Sequence, residues 1–409
     1  MSRFRTLDDL SPEQRVVARL DLNSPVEDGR VQDNRRFDRH ATTVAELADA
    51  GHRVALLAHQ GRPGRDTFVS LEQHADVLAD HAGVDVDFVP DTFGERALSA
   101  VRDLDGGDVL LLENTRMTDD ELPEKEPEEH ANSAFVKTLA PEFDAYVNDA
   151  YSAAHRKHAS LVGFPLRLPS YAGRVMETEY EANTAIASRE FDGDVTMVVG
   201  GTKATDVIDV MEALDGKVDA FCLGGVAGEL FLRAAGYPVG RDVGTDLFDE
   251  QWAENEDTIR DVLDEHGDRL RLASDLAYEG PDGGRAEVDV DAVEDKEHSF
   301  LDVGAGTVEE YEAVVRDSAA VFVKGALGVF EDERFKDGTV GVLRAIAETD
   351  CFSVVGGGDT SRAIEMYGLD EAEFSHVSIA GGAYIRALTG EPLPAVELLE
   401  RNAAGEFDG

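Results

Sequence analysis

The chain has 409 residues and a formal net charge of −47, with 85 Asp and Glu residues against 38 Lys and Arg residues. This length allows two or three domains. The acidic balance argues against binding of nucleic acid or an anionic membrane, because there is no basic stripe to neutralise phosphates. No apolar run approaches the roughly 20 residues of a membrane span, and the first residues lack a signal-like apolar core. We therefore expect a soluble, cytoplasmic protein.

Acidic residues are spread along the whole chain, which indicates an acidic coat on a folded protein. Self-repulsion of this kind destabilises a compact state, and molar salt relieves it because the screening length falls to roughly 3 Å. The composition therefore predicts a halophilic protein. Cys222 and Cys351 each lie in an apolar, strand-like run. Buried free thiols are expected there, not a disulfide or a metal site.

In the first half, short apolar runs alternate with amphipathic segments, a pattern typical of parallel α/β sheets. It predicts strands over 16–23, 53–59, 84–89, 108–113 and 145–148. A helix is predicted over 70–81, with Ser70 as its N-cap and Gly83 as its stop signal.

The second half follows a long helical pattern over 171–189, which we interpret as the link between two domains. Strands are then predicted over 195–199, 220–223, 271–276, 300–303, 320–324, 352–355 and 376–379. The segment 240–283 is acidic and less regular, and its sequence assigns it no role.

The predicted strands of the first half lead to side chains that bind anions. A single arginine beyond a strand is usually a solvated or paired charge, but several at one sheet edge favour an anion site, since guanidinium groups bind carboxylate and phosphate in a bidentate manner. Ligands of open parallel sheets bind at the carboxyl ends of the strands. The candidates are Asp21, Asn23, Arg36, His59, Arg62, Arg116, His155 and Arg156.

The predicted strands of the second half lead to glycines, at 200–201, 224–225, 304–306, 325–328, 356–358 and 381–382. Bare backbone lets a flat or polyphosphate ligand approach closely. In GGGDT (356–360) the helix start offers N–H groups to a phosphate, and Asp359 offers a carboxylate to a nucleotide-bound Mg²⁺; the alternative is that Asp359 is only an N-cap. GGTK (200–203) resembles a phosphate loop but lacks the spacing of a Walker A sequence. Lys203 is a candidate phosphate ligand, and the alternative is that its role is only structural. An anion site on one domain and a nucleotide site on the other predict a two-substrate kinase.

Together these motifs resemble the phosphoglycerate kinase family over nearly the whole chain. The matching stretches are RLDLNSP (19–25), HQGRP (59–63), LENTR (112–116), VNDAYSAAHR (147–156), GVFE (328–331), GGGDT (356–360) and LPAV (393–396). The resemblance implies an α/β fold with two Rossmann-like parallel-sheet domains and a long interdomain helix. It places the acid-binding domain at 1–169, the helix at 170–189, the nucleotide domain at 190–389, and a tail at 390–409 that packs back on the first domain.

The resemblance also implies residue roles. 3-Phosphoglycerate or its acyl-phosphate form would be held by Asp21, Asn23, Arg36, His59, Arg62, Arg116 and Arg156. ADP or ATP would be held by Lys203, Glu331, Gly357, Gly358, Asp359 and Thr360, with Glu331 on the ribose and Asp359 near Mg²⁺. The catalytic positions would be Arg36, Lys203, Gly357 and Gly381. No nucleic-acid or membrane partner is implied, and we expect a monomer.

The nucleotide half departs from the family pattern. Val207 stands where the common form has a second lysine, and Lys324 and Ala326 replace the Asn and Pro of a usual Asn-Gly-Pro run. Ile379 and Ala380 also differ. Lys324 is a candidate source of the missing positive charge. Two alternatives stay open: a two-domain solute-binding protein that clamps an anion without chemistry, and a catalytically impaired relative with a binding or regulatory role.

Overall fold

The computed structural model of the chain describes residues 3–241 and 246–407. The chain forms two compact units. The first consists of Met1–Glu181 with Pro392–Gly409, and the second consists of Ala182–Glu391. The first division between them therefore falls inside a helix, Arg174–Asn183, that runs from one unit into the other.

The first unit is built around a six-stranded parallel sheet with the order β5-β6-β4-β1-β7-β8. A small antiparallel hairpin, β2–β3, accompanies it. The strands are β1 Arg15–Arg19, β2 Val26–Glu27, β3 Arg30–Val31, β4 Arg53–Leu57, β5 Val86–Val89, β6 Val109–Leu112, β7 Ala145–Asn148 and β8 Ser170–Ala172.

Helices cover both faces of this sheet. Val16 belongs to one apolar cluster with Phe37 and Leu56, while its neighbour Val17 belongs to another with Phe135. Successive side chains of a strand point to opposite faces, so a strand buried on both sides needs a continuous apolar run. The helices are α1 Arg35–Asp49, α2 Glu72–Ala82, α3 Glu95–Asp103, α4 Pro127–Ala131, α5 Ala134–Leu139 and α6 Ala159–Val162.

The C-terminal segment completes the first unit. Its helix is held by Asn402, whose side-chain N–H groups donate to Pro165 O at 2.7 Å and to Leu168 O at 2.9 Å. The same side chain accepts from Ser170 N at 2.9 Å. A buried amide with this many partners fixes the helix firmly against the sheet edge.

The predicted helix over 170–189 needs correction, because the structure contains a strand followed by two helices. Residues Ser170–Ala172 pair in parallel with β7 and extend the sheet. Gly173 turns the chain, and a Cβ there would lie 2.2 Å from Asp149 Oδ1. Two helices follow: α7 Arg174–Asn183 and α8 Ala185–Ser188.

The second unit contains another six-stranded parallel sheet, with the order β11-β10-β9-β15-β16-β17. The strands of the unit are β9 Val195–Val199, β10 Ala220–Leu223, β11 Leu270–Arg271, β12 Asp275–Glu279, β13 Arg285–Asp289, β14 Phe300–Val303, β15 Ala320–Lys324, β16 Phe352–Gly356 and β17 His376–Val377. Its further helices are α9 Ala204–Ala213, α10 Gly225–Ala234, α11 Leu247–His266, α12 Ala305–Arg316, α13 Asp337–Ala347, α14 Gly358–Met366 and α15 Gly382–Leu388, and the C-terminal helix of the first unit is α16 Pro394–Ala403.

Several predicted strands agree with the structure to the residue, among them 145–148, 195–199, 220–223 and 320–324. The predicted strand over 271–276 is wrong, because the chain forms β11 there, leaves the parallel sheet, and enters an antiparallel sheet as β12. That second sheet has the order β13-β12-β14. The irregular segment 240–283 contains the 20-residue helix α11, while 242–245 lie outside the described residues.

Both cysteines are free, with Cys222 buried in β10 and Cys351 half-buried just before β16. Among the described residues, no helix is both long enough and apolar enough to cross a bilayer.

Candidate functional site

The carboxyl end of β1 carries a buried arginine, Arg19, to which the sequence motifs assign no role. It has no exposed surface. Its Nε donates to Ser160 Oγ at 2.7 Å, and its Nη2 lies 2.9 Å from His59 Nδ1. The carboxylate of Glu121 lies 3.9 Å from its Nη2. In the sequence, the signal for this residue is an arginine at the end of an apolar strand. Such a charge is rarely fully buried unless it is paired or hydrogen-bonded.

Asp21 lies two residues further along and binds Arg36 directly. The Arg36 guanidinium forms an ion pair with the Asp21 carboxylate, and Ser152 Oγ donates to the same oxygen. Burial by itself would raise the pKa of Asp21, but Arg36, Ser152 and Arg19 together lower it well below its usual value. Asp21 is therefore ionised and holds Arg36 at the sheet edge.

Arg36 owes its position to the start of α1. Asn34 is the N-cap, and its side-chain oxygen accepts from Arg36 N at 3.0 Å. This capping bond fixes the backbone of the first turn. The Arg36 side chain remains 25% exposed, so its guanidinium is accessible to a ligand.

Arg116 follows β6 and lies among other cations. Its guanidinium donates to Gly61 O, while its Nε is buried and has no hydrogen-bond partner among the described residues. Burial and the nearby charges of Arg19 and Arg156 lower the pKa of Arg116 to about 10, despite the opposing effects of Glu121 and Asp21. This part of the sheet edge therefore carries an excess of positive charge, in a chain whose net charge is −47.

The histidines of this group do not add to the charge. Burial is the largest cause that lowers the pKa of His59 well below its ordinary value, and Arg19 and Arg116 lower it further. Burial likewise lowers the pKa of His158 to about 3. Both rings are neutral at pH 7, so they offer hydrogen bonds and leave the charge to the arginines.

The turn after β4 carries the remaining predicted residues. Asn23 Oδ1 accepts from Gly61 N at 2.8 Å, so Asn23 and Arg116 both hold Gly61. Arg62 is exposed on the same turn and, within residues 3–241 and 246–407, its side chain forms no ion pair or hydrogen bond. The structure thus brings Asp21, Arg36, His59, Arg116 and Arg156 together and leaves Arg62 on the rim.

A buried histidine connects this site to the helix that leads into the second unit. His40 Nε2 accepts from Asp21 N at 3.2 Å, and His40 Nδ1 donates to Asp149 Oδ2 at 2.8 Å. The other oxygen of Asp149 accepts from Val175 N at 2.8 Å and from Met176 N at 3.2 Å, in the first turn of α7. A single chain of hydrogen bonds therefore runs from the backbone of Asp21 to the start of α7.

The second unit contains an open pocket with a cavity volume of about 220 Å³ at the carboxyl side of its parallel sheet. Apolar walls are formed by Leu223, Leu276 and Phe300, while Glu331 and Asp359 provide carboxylates at the lining. An apolar wall with carboxylates beside it suits a nucleoside. Asp302 also lines the pocket, and burial raises its pKa to about 6 against the opposing effect of Arg285.

Glycine turns form the floor beside this pocket. Gly325 has φ 82°, and a Cβ there would lie 2.6 Å from Gly200 O, so only glycine allows these two turns to touch. Gly357 has φ 108° and precedes α14. Thr360 Oγ donates to Gly356 O at 2.8 Å and to Gly357 O at 3.0 Å, which closes the turn and leaves Gly358 exposed at the helix start.

The remaining predicted residues of the second unit lie at separate strand ends. Lys203 is exposed immediately before α9, and Gly381 is exposed immediately before α15. Glu331 lies 3.3 Å from Arg362, as an exposed pair. Asp359 is exposed in the first turn of α14.

Comparison with known proteins identifies the family. The phosphoglycerate kinase family model matches residues 7–391. A phosphoglycerate kinase of Halorubrum lacusprofundi is 76% identical over 404 residues, covering 98% of this chain and 99% of that protein. One of Haloarcula marismortui is 71% identical over 399 residues, covering 97% of this chain and 100% of that protein.

Structural comparison agrees with the sequence relationship. The crystal structure of phosphoglycerate kinase from Pyrococcus horikoshii OT3 superposes with a TM-score of 0.89 at 31% sequence identity, covering 97% of this chain and 99% of that one. The structure of the enzyme from Coxiella burnetii gives a TM-score of 0.82 at 30% identity, covering 98% of this chain and 100% of that one. The sequence, the two-unit parallel-sheet architecture and these relatives lead to one conclusion: the chain belongs to the phosphoglycerate kinase family.

Proposed function

We propose that this protein transfers a phosphoryl group reversibly between 1,3-bisphosphoglycerate and ADP, giving 3-phosphoglycerate and ATP. The observation that carries the proposal is the excess of guanidinium charge around Arg116, which lies at the carboxyl edge of the first sheet in a strongly acidic protein. A small, highly charged anion is the ligand that such an arrangement favours.

On the acid side, Arg116 and Arg156 would bind the phosphate and carboxylate groups of the glycerate, with the exposed Arg62 joining from the rim. Neutral His59 and Asn23 would hydrogen-bond its hydroxyl and carboxylate oxygens. Asp21 would orient Arg36, to which it is already ion-paired.

On the nucleotide side, the pocket of the second unit would receive the nucleoside, with Glu331 on the ribose. The glycine floor, including Gly357 and Gly358, would let the phosphates approach the backbone N–H groups at the start of α14. Lys203 would bind the terminal phosphate, Thr360 would keep the turn closed, and the exposed Gly381 is proposed as a further backbone donor.

Mg²⁺ would accompany the nucleotide. No cluster of His, Cys, Asp and Glu able to hold a metal ion occurs among the described residues. The single exposed carboxylate of Asp359 at the pocket fits an ion that is held mainly by phosphate oxygens and water. When bound, Mg²⁺ neutralises charge on the phosphates.

The chemistry requires no general acid or base, because a carboxylate is a good leaving group. Catalysis then consists of in-line positioning and of neutralising charge on the group in transfer. Arg36 would supply positive charge at the acyl phosphate, and Lys203 would supply it at the terminal phosphate of the nucleotide.

Coupled turnover of ATP with 3-phosphoglycerate in molar KCl tests the proposal. We expect acid-dependent ADP production by the wild-type protein. A solute-binding protein would bind 3-phosphoglycerate without turnover, and an impaired relative would bind nucleotide without turnover. Either result would overturn the proposal.

We also infer that the enzyme acts as a cytoplasmic monomer. Forming an interface on an acidic coat would strip water from carboxylates, which is costly for unpaired charges even where salt screens their mutual repulsion. Light scattering in molar KCl should give a mass close to the 44.2 kDa of one chain, whereas a dimer mass would contradict this part of the proposal.

A further inference from the structure

The central strand β15 ends between two of the glycine turns of the nucleotide side. Its last residue, Lys324, lies opposite Val199 on one side and Gly356 on the other, where the chain enters the turns at Gly200 and Gly357. Gly200 N donates to Lys324 O at 2.9 Å. The base of the Lys324 side chain therefore lies at the middle of the glycine floor.

Within the described residues, the charged end of this side chain is paired with a single carboxylate. Its Nζ forms an ion pair with Asp206 in the first turn of α9, and the side chains of Lys324 and Asp206 are 16% and 27% exposed. An ammonium group has three donors, so this pair leaves capacity for further acceptors. Partial burial also protects such a charge from screening by salt.

One turn after Lys203, helix α9 presents a buried apolar side chain, Val207. Lys203 is exposed to solvent, so by itself it provides a strongly screened charge. A nucleotide phosphate chain on this floor would meet bare backbone and, from the central strand, the half-buried ammonium of Lys324.

From this geometry we propose that Lys324 is a second cation for the nucleotide phosphates. Asp206 holds its ammonium in place in the free protein and is partly replaced by phosphate oxygens when ADP or ATP binds. The inference rests on the proposed kinase function and assigns to Lys324 a direct contact with the polyphosphate.

A purely structural ion pair between α9 and β15 makes the opposite prediction for one of the two partners. If the pair only held the fold together, loss of either residue would weaken ADP binding alike. If Asp206 competes with phosphate for Lys324, loss of Asp206 strengthens ADP binding while loss of Lys324 weakens it.

The test is calorimetric binding of ADP and of adenosine to the full chain in molar KCl. We expect Lys324→Ala to weaken ADP about tenfold, which is a typical scale for one charged contact, and to leave adenosine affinity unchanged. Asp206→Asn should tighten ADP about threefold, a smaller effect because only competition is removed. Lys296→Ala, which breaks the 3.0 Å pair with Asp249 in the same unit, should change the affinity for neither ligand.

A double variant excludes a general effect of removing negative charge. If Asp206 acts through Lys324, Asp206→Asn has no effect on ADP affinity in the Lys324→Ala background. Asp209→Asn, one turn along α9, serves as the charge-matched control and should leave ADP affinity close to that of the wild type. The inference is overturned if both single variants weaken ADP, or if Lys324→Ala weakens adenosine equally.

Failure of this inference is distinct from failure of the proposed function. A wild-type protein that binds no ADP, or that turns over no ATP with 3-phosphoglycerate, refutes the kinase proposal. A fully active wild type whose Lys324→Ala variant binds ADP normally refutes only the role of Lys324.

Discussion

Arg36 and Arg116 have the same side chain in very different surroundings, so their loss should have different kinetic effects. Arg36 is accessible and oriented by Asp21, whereas Arg116 is buried among cations that a bound anion would neutralise. We expect Arg36→Ala to reduce kcat by roughly 10³-fold or more, as for other arginines that stabilise phosphoryl transfer. Arg116→Ala should mainly raise KM for 3-phosphoglycerate, because it removes binding energy common to substrate and transition state.

Steady-state kinetics in molar KCl would measure both effects. Arg102→Ala is the matched control, because Arg102 is an exposed arginine of the same unit that pairs with Glu142. Equal losses of kcat in the Arg36 and Arg116 variants would contradict this assignment of roles.

Asp302 provides a prediction about pH. Burial raises its pKa from 3.8 to about 6 in the folded protein, although Arg285 and Gly338 N oppose the shift. Between about pH 4 and pH 6 the folded state therefore binds more protons than the unfolded chain, so the contribution of Asp302 to stability is largest at low pH and is lost as the pH rises through about 6.

Asp302→Asn removes this titration. The unfolding free energy of the wild type minus that of the variant should fall by on the order of 3 kcal/mol between pH 4 and pH 7, as measured by denaturant unfolding in constant molar KCl. The difference between the two proteins cancels titrations that they share. A difference that stays constant or grows with pH would show that Arg285 outweighs burial.

At the residue scale, the arginines proposed to bind ligands were easier to predict from the sequence than the buried residues that hold them in place. Arg36, Arg116 and Arg156 follow predicted strands, so sheet topology alone brings them to one edge. Arg19, Glu121 and the His40–Asp149 pair were missed, because their importance comes from burial and from contacts between distant segments. The Arg19 partner Ser160, for example, is 141 residues away.

At the scale of elements, α1 joins the proposed acid-binding site to α7 through His40. Substitution of His40 by Asn or by Gln tests the two hydrogen bonds of its ring one at a time. An Asn amide reproduces the position of Nδ1, and a Gln amide reproduces that of Nε2. His40→Asn should therefore keep the bond to Asp149 and leave Asp21 N without its acceptor. We expect about a tenfold loss of kcat/KM for this variant. Leaving the buried N–H of Asp21 unsatisfied costs about 1–3 kcal/mol, and Asp21 is the residue that orients Arg36.

His40→Gln should retain more activity, because it preserves the bond to Asp21. The control is His52→Gln. His52 is also buried, and its Nδ1 accepts from Gln14 N at 3.0 Å at the opposite, amino-terminal edge of the same sheet. That variant should lose stability without losing kcat/KM. If His40→Asn lost stability but kept normal kinetics, His40 would have only a structural role.

Strands that are buried on both faces were easier to predict from the sequence than strands that are partly exposed. Strands such as β9 and β15 are covered on both faces, so their continuous apolar runs stand out in the sequence. The antiparallel sheet was not predicted as such, because β13 alternates half-buried and exposed residues and contains Arg285, Glu287 and Asp289. Its position depends on pairing with β12, which a local pattern does not reveal.

Over the whole molecule, the dominant feature is the charge of −47. Helix α11 illustrates its effect, since Asp257, Asp261 and Asp264 are exposed at spacings that bring like charges together. In the described part of the chain none of these three carboxylates forms an ion pair, and Arg260 on the same helix pairs with Glu256. Asp264 also lies in the last turn, where negative charge opposes the helix dipole.

Repulsion of this kind predicts a stability that rises with salt. The screening length falls from about 10 Å at 0.1 M salt to about 3 Å at 1 M, so the melting temperature should rise most steeply between those concentrations of KCl. Glycerol does not screen charge and should not reproduce the rise over that interval. A melting temperature independent of KCl would rule out charge repulsion as the reason.

A variant of α11 tests the same idea at identified residues. The triple variant D257N/D261N/D264N keeps side-chain size and removes three repelling charges. It should be more stable than the wild type at about 0.1 M KCl, by on the order of 1 kcal/mol from a few like-charge pairs. The advantage should disappear near 2 M KCl, because screening then removes the repulsion in both proteins. An advantage that persisted at high salt would mean that these substitutions act through helix propensity or packing and not through charge.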